Sequence, residues 1–185
     1  MPFDSNAYGT EVKEILALDQ SGHRLIPLVS GVCSSKAARE RLKRRKAAEL
    51  FPQAHARDEA LGGLWLYFSC FDESHEIVQD LNSPEASFWH AILHRQEPDP
   101  ENSAYWFHRV GEHPVFQDLL VAAQDIVARH PDAGFGIVPK WDPFSFVDFC
   151  ERARQKPGSP SERAALEIQR AEWQLLFDYC ARPRS

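Results

Sequence analysis

Apolar residues recur along this chain at three- and four-residue spacing, and the runs are punctuated by prolines, glycines and short polar turns. Nearly every periodic segment therefore reads as helix. "TEVKEILAL" predicts a short amphipathic helix ended by Asp19 to Gly22, and a hairpin through "RLIPLV" is disfavoured by Pro27. Ser34 or Ser35 is expected to cap a helix from Lys36 to Leu50, stopped ahead of Pro52. One long helix is expected from about Arg57 to Asp80. Ser83, Pro84 and Glu85 then give a start signal, and Pro98 and Pro100 stop the helix that follows.

Asn102 or Ser103 is expected to cap "AYWFHRV", which ends at Gly111. A further helix begins behind Pro114 and runs to near Pro131, followed by a loop through "DAGFGIVPKW". Asp142 and Pro143 open "DPFSFVDFCERARQ", "KPGSP" makes a turn, and the last helix spans Glu162 to about Ala181. The pattern predicts one compact all-α domain over residues 1–185, a multi-helix array of about seven or eight helices.

Candidate chemistry gathers in the middle. In "FWHAILHR" the i, i+4, i+7 relation lets His90, His94 and Glu97 share one arc, opposite Phe88, Trp89, Ile92 and Leu93. Two histidines at that spacing suit zinc or iron. The first reading for them is the wet side of a helical hairpin, ahead of a buried hydrogen-bonded network and of a metal site. Ala91 stands where a zinc protease of the HExxH kind carries its glutamate, and no Glu-x-x-His pair of the di-iron kind occurs here. The preceding helix is apolar around most of its girth, with one polar strip of Ser69, Asp72, Glu73, Glu76 and Asp80. Only "LNSP" separates the two, so an antiparallel hairpin is expected. If the strip faces His90 and His94, a divalent metal held by those two and Glu76 becomes a candidate, with Asp72 or Glu73 as further acids. His75 falls on a different flank with Asp72 and Gln79, where a structural hydrogen bond is expected.

Arg95 and Arg109 are candidate contacts for carboxylate or phosphate. The alternative for Arg95 is a pair with Asp99 or an acid on another helix. Trp106 and Phe107 read as core. On the last helix, Glu167, Arg170, Gln174 and Asp178 form the expected solvent stripe, whereas Gln169 and Glu172 lie among Ile168, Trp173, Leu176 and Tyr179. An acid in an apolar arc requires a partner, so Glu172 reads as half of a buried ion pair or as a functional acid. Arg95, Arg109 and the histidines are its candidate partners.

Composition narrows the classes. At 43% hydrophobic and 26% charged, with five Trp and twelve Phe, the chain suits a globular protein with a sizeable core. "LGGLWLYFSCF" is far short of the roughly 18 apolar residues of a membrane span. No basic n-region with an apolar h-region opens the sequence, so a cytoplasmic protein is expected. A net charge of −6 argues against nucleic acid as a partner. The exception is Lys36 to Lys46, seven basic residues and one acid, read as a solvated face or a surface for an acidic partner. The four cysteines lie at least thirty positions apart, which argues against a zinc ribbon and a disulfide scaffold and for small buried residues.

The block from "LYFSCFDESHEIVQDL" through "SFWHAILHR" to "YWFHRVGEHPVF", with "DPFSFVDFCERAR" and "QRAEWQLLFDYCAR", resembles a bacterial protein family of unknown function. The resemblance implies no activity, cofactor or site residue. From the residues themselves, a helical scaffold is expected to bind a small anionic ligand or a partner peptide in a polar inter-helix cleft. Arg95, Arg109, His90, His94 and Glu172 would be its contacts. The rival is a metal-dependent enzyme, a hydrolase or oxidoreductase, built on His90, His94 and a carboxylate.

Overall fold

The computed structural model describes residues 3–183. Ten α-helices and no strands occur among them: α1 Thr10–Leu16, α2 Lys36–Leu42, α3 Ala47–Leu50, α4 Arg57–Tyr67, α5 Phe71–Val78, α6 Pro84–Gln96, α7 Pro100–Val110, α8 Val115–Arg129, α9 Pro143–Ala153 and α10 Pro160–Ala181. The all-α class is as expected, and the count is higher for a simple reason. Two segments read as single helices are each broken in two.

The starts follow their cap chemistry. Pro84, Pro100, Pro143 and Pro160 open α6, α7, α9 and α10, each behind a side chain that accepts a backbone N–H: Ser83, Asp99, Asp142 and Ser159. Asp99 rather than Asn102 or Ser103 caps α7, so that helix begins earlier than expected and carries Asn102 inside its first turn.

The first break separates α2 from α3 at Lys43–Lys46, four consecutive cations. Lys46 turns extended, and its N–H donates to the Glu49 carboxylate. The cations spread to separate acids: Arg39 and Lys43 to Glu73, Arg41 to Glu14, Arg45 to Glu11. The second break, at Phe68–Cys70, matters more. Ser69 sits in the left-handed region at φ 55° and ends α4. Arg24 donates to the Tyr67 carbonyl at 2.5 Å and to Ser69 Oγ at 2.9 Å, and the Ser34 N–H donates to the Phe68 carbonyl at 2.7 Å. Cys33 and Cys70 form a disulfide across the same place, a correction to the expectation that all four cysteines are plain buried residues; Cys150 and Cys180 are buried thiols.

Helix α6 is the axis of the molecule, buried from Glu85 to Gln96 and packed against α4, α5 and α7. Its approach to α4 depends on Gly63, where a Cβ would lie 2.5 Å from the Trp89 ring. Trp173 of α10 donates its indole N–H to the Gly63 carbonyl at 2.7 Å. Helix α10 packs on α4, α8 and α9. Its expected solvent stripe is partly covered: Glu167 is buried, and it binds Arg129 and His130 across the α8 end and Arg163 on its own helix. No helix among the described residues is long and apolar enough to cross a membrane.

Candidate metal centre

The break before α5 decides the site. A continuous helix would leave His75 on another flank; restarting the helix at Phe71 turns that flank toward α6. His75, His90 and His94 then meet, with one ligand nitrogen from each lying within 4.8 Å of the others. His90 and His94 stack at 5.1 Å, nearly parallel at 9°, as i, i+4 neighbours on α6. His75 stands edge-on to both rings, at 4.7 and 5.8 Å, and its Nε2 is 2.9 Å from His90 Nε2.

These are not wet surface groups. His90 is 3% exposed and His94 8%, with His75 half-buried at the mouth. Burial pushes the His90 imidazole down to about 4, helped by the neighbouring His75 and His94 rings. His94 is lowered for the same first reason, burial, against a pull in the other direction from Glu97. Both are therefore neutral at pH 7 and offer lone pairs, as metal ligation requires.

Surrounding groups hold the rings. Trp106 of α7 lies flat on His90 at 3.9 Å, so His90 is clamped between two rings, and its Nδ1 has no hydrogen-bond partner among the described residues. Arg109 covers the outer face of Trp106 at 5.2 Å. His94 Nδ1 is 2.9 Å from Glu97 Oε2, a carboxylate–imidazole pair of the kind that orients a metal ligand. The Asn102 amide nitrogen reaches the same ring at 3.2 Å. Beside His75 opens a cleft of about 220 Å³, lined by Phe71, Asp72, His75, Glu76, Gln79 and Glu97.

The expected site residues fall into two groups. His90 and His94 are central. Glu76 lines the cleft but is not among the converging ligand atoms, and Glu73 is committed to Arg39 and Lys43 on the far side of α5. Arg95 and Glu172 bind one another in the interior, each 0% exposed. Gln169 adds a contact to Arg95 at 3.2 Å, and the Phe146 ring lies 4.6 Å from its guanidinium. The pair is sealed from solvent, and Arg95 Nε has no hydrogen-bond partner among the described residues. Arg109 is exposed and reaches the site through Trp106.

His75, Trp106 and Asn102 went unseen as site residues. The sequence held one signal for His75: Asp72 and Glu73 directly behind "FSCF" mark the acidic first turn of a new helix. Trp106 carries no sequence mark that separates a ring on a histidine from a ring in a core. Models of known protein families, curated proteins and solved structures yield no match to this chain.

Proposed function

We propose that this protein binds a divalent transition metal through His75, His90 and His94 and works as a metal-dependent enzyme of the hydrolytic kind. The convergence of three imidazole nitrogens, two of them buried and neutral, carries the reading. Three histidines leave coordination positions open, the arrangement of catalytic rather than structural zinc. A bound ion would act as Lewis acid and lower the pKa of a coordinated water. Glu97 orients His94, and Glu76 and Asp72 on the cleft wall are the carboxylates within the same cleft to accept a proton.

The cleft also bears on the anionic-ligand alternative. Three of its six lining residues are acids and none is Lys or Arg. A free anion is repelled there, whereas an anion on a bound cation is not. The basic helix α2 and the turn after it spend most of their charge on Glu11, Glu14 and Glu73 of the same chain, which counts against a partner-binding role for that surface. We place the protein in the cytoplasm and in the bacterial family that its central block resembles; neither placement changes the chemistry.

Elemental analysis and cobalt titration test the reading. Purified chain should hold near-stoichiometric zinc, iron or manganese, and cobalt should give the visible bands of a nitrogen-rich site. His90→Ala and His94→Ala should each abolish both. Unchanged metal content in the two variants would sink the proposal.

A further inference from the structure

The geometry points to a redox latch on the histidine cluster: we propose that reducing the Cys33–Cys70 disulfide releases the start of α5 and withdraws His75 from His90 and His94. Its consequence for cation affinity rests on the metal reading above; the movement of His75 does not.

Cys70 immediately precedes α5, and its carbonyl accepts the first hydrogen bond of that helix, from the Ser74 N–H at 3.1 Å. His75 follows five positions later, a little over one turn along. At eight residues, α5 is too short to persist without anchors. Its back is held by Ser74 Oγ on the Gly62 carbonyl at 2.8 Å and by Glu73 on Arg39. Its start is held by the segment carrying Cys33, through the disulfide and the Ser34 bond to Phe68. Ser69 holds φ 55° under the closing bonds of α4, its own N–H to the Leu66 carbonyl at 2.8 Å and the Cys70 N–H to the Trp65 carbonyl at 3.1 Å, and the disulfide ties that turn to the Cys33 segment. Without the covalent tie, that turn is left to hydrogen bonds from Arg24, Ser34 and the end of α4 itself, and the phase of α5 against α6 loosens.

The bond is reachable from one side. Cys70 is buried, but Cys33 is half-buried in a segment whose neighbours Val32 and Ser34 are exposed. A dithiol reductant attacks the Cys33 sulfur, the S–S bond breaks, and Cys70 leaves as thiolate and takes a proton. The reductant's second thiol then resolves the mixed disulfide. Two electrons and two protons pass to Cys33 and Cys70, and the reductant becomes its own disulfide. Reversible bonds of this kind are the ones found in reducing compartments.

The test compares the full chain, oxidised and treated with dithiothreitol, with the Cys33→Ser/Cys70→Ser variant. The unfolded thiol count should rise from two to four on reduction. Amide hydrogen exchange should speed up across α5 and stay unchanged in α8. Cobalt affinity should fall about tenfold, in the range seen when groups that orient metal ligands are lost. The variant should match the reduced chain and ignore dithiothreitol. Four thiols after oxidation, or α5 exchange indifferent to reduction, overturns the latch. If cobalt binds in neither state the metal reading fails, and α5 exchange alone then decides the latch.

Discussion

His90 has both ring faces covered, by His94 and by Trp106, and its Nε2 faces His75 Nε2 at 2.9 Å. Burial among neutral rings favours the uncharged form, which is why its pKa sits near 4 instead of 6.5. In that interval the unfolded chain takes up a proton that the folded chain refuses, so stability falls as pH drops from about 6.5 to about 4 and levels off below. Urea midpoints of metal-free protein at pH 7, 5.5 and 4 should decline in that order, and His90→Gln should flatten the slope. A wild-type midpoint constant through the window contradicts the depressed imidazole. The Arg95–Glu172 pair behaves in the opposite way to a surface ion pair. Both partners are sealed from water, so Arg95→Met strands a carboxylate and should cost about 3–5 kcal/mol in chemical denaturation. A cost below 1 kcal/mol would mean that water reaches Glu172.

At the scale of elements, legibility followed from how local each signal is. Proline at the first helical position and an oxygen-bearing residue before it are contained in two or three residues, and α6 and α9 begin where those signals predict; the same signal at Ser159 and Pro160 starts α10 two residues ahead of the expected Glu162. The burial of Glu172 and Gln169 on α10 was legible too, because an arc of one helix needs only helical geometry. The break at Ser69 was not. Its closing bonds are local, Ser69 N–H to Leu66 and Cys70 N–H to Trp65, but the left-handed residue is a serine with no glycine to mark it, and the turn is fixed by Arg24, Ser34 and Cys33, residues 34 to 45 positions earlier, which no periodicity within "LYFSCFDES" encodes. Since the break sets the phase of α5, the third histidine was lost with it. Helix spacing carries its own prediction. Gly63→Ala pushes a methyl into the Trp89 ring at the α4–α6 contact, beneath the Trp173 hydrogen bond. Overpacking of that kind should lower stability by about 1–3 kcal/mol, read as a reduced urea midpoint with an unchanged slope. A neutral effect would show that α4 and α6 can separate without loss.

At the scale of the whole molecule, the histidine cluster ties together helices that also meet through packing and the Ser103 hydrogen bond to the Ala91 carbonyl. Its ligands lie on two helices, α5 and α6, and its supporting groups on a third, α7. In the unfolded chain His75 is fifteen positions from His90, so the three nitrogens converge only in the native state. A cation bound there stabilises the folded protein by mass action, about 2.7 kcal/mol at a hundredfold excess over its Kd. For a domain of this size each kcal/mol moves the Tm by about 2–4 °C, so saturating zinc should raise it by roughly 5–10 °C. A chelator should return it to the starting value. His75→Ala is the discriminating variant, because its side chain is half-buried at the mouth and its loss leaves the α6 core in place. Its metal-free Tm should stay close to that of the parent while most of the zinc-induced rise disappears. If His75→Ala keeps the full rise, the stabilising ion sits elsewhere, and the three rings are a buried network that orders α5 against α6 without a metal.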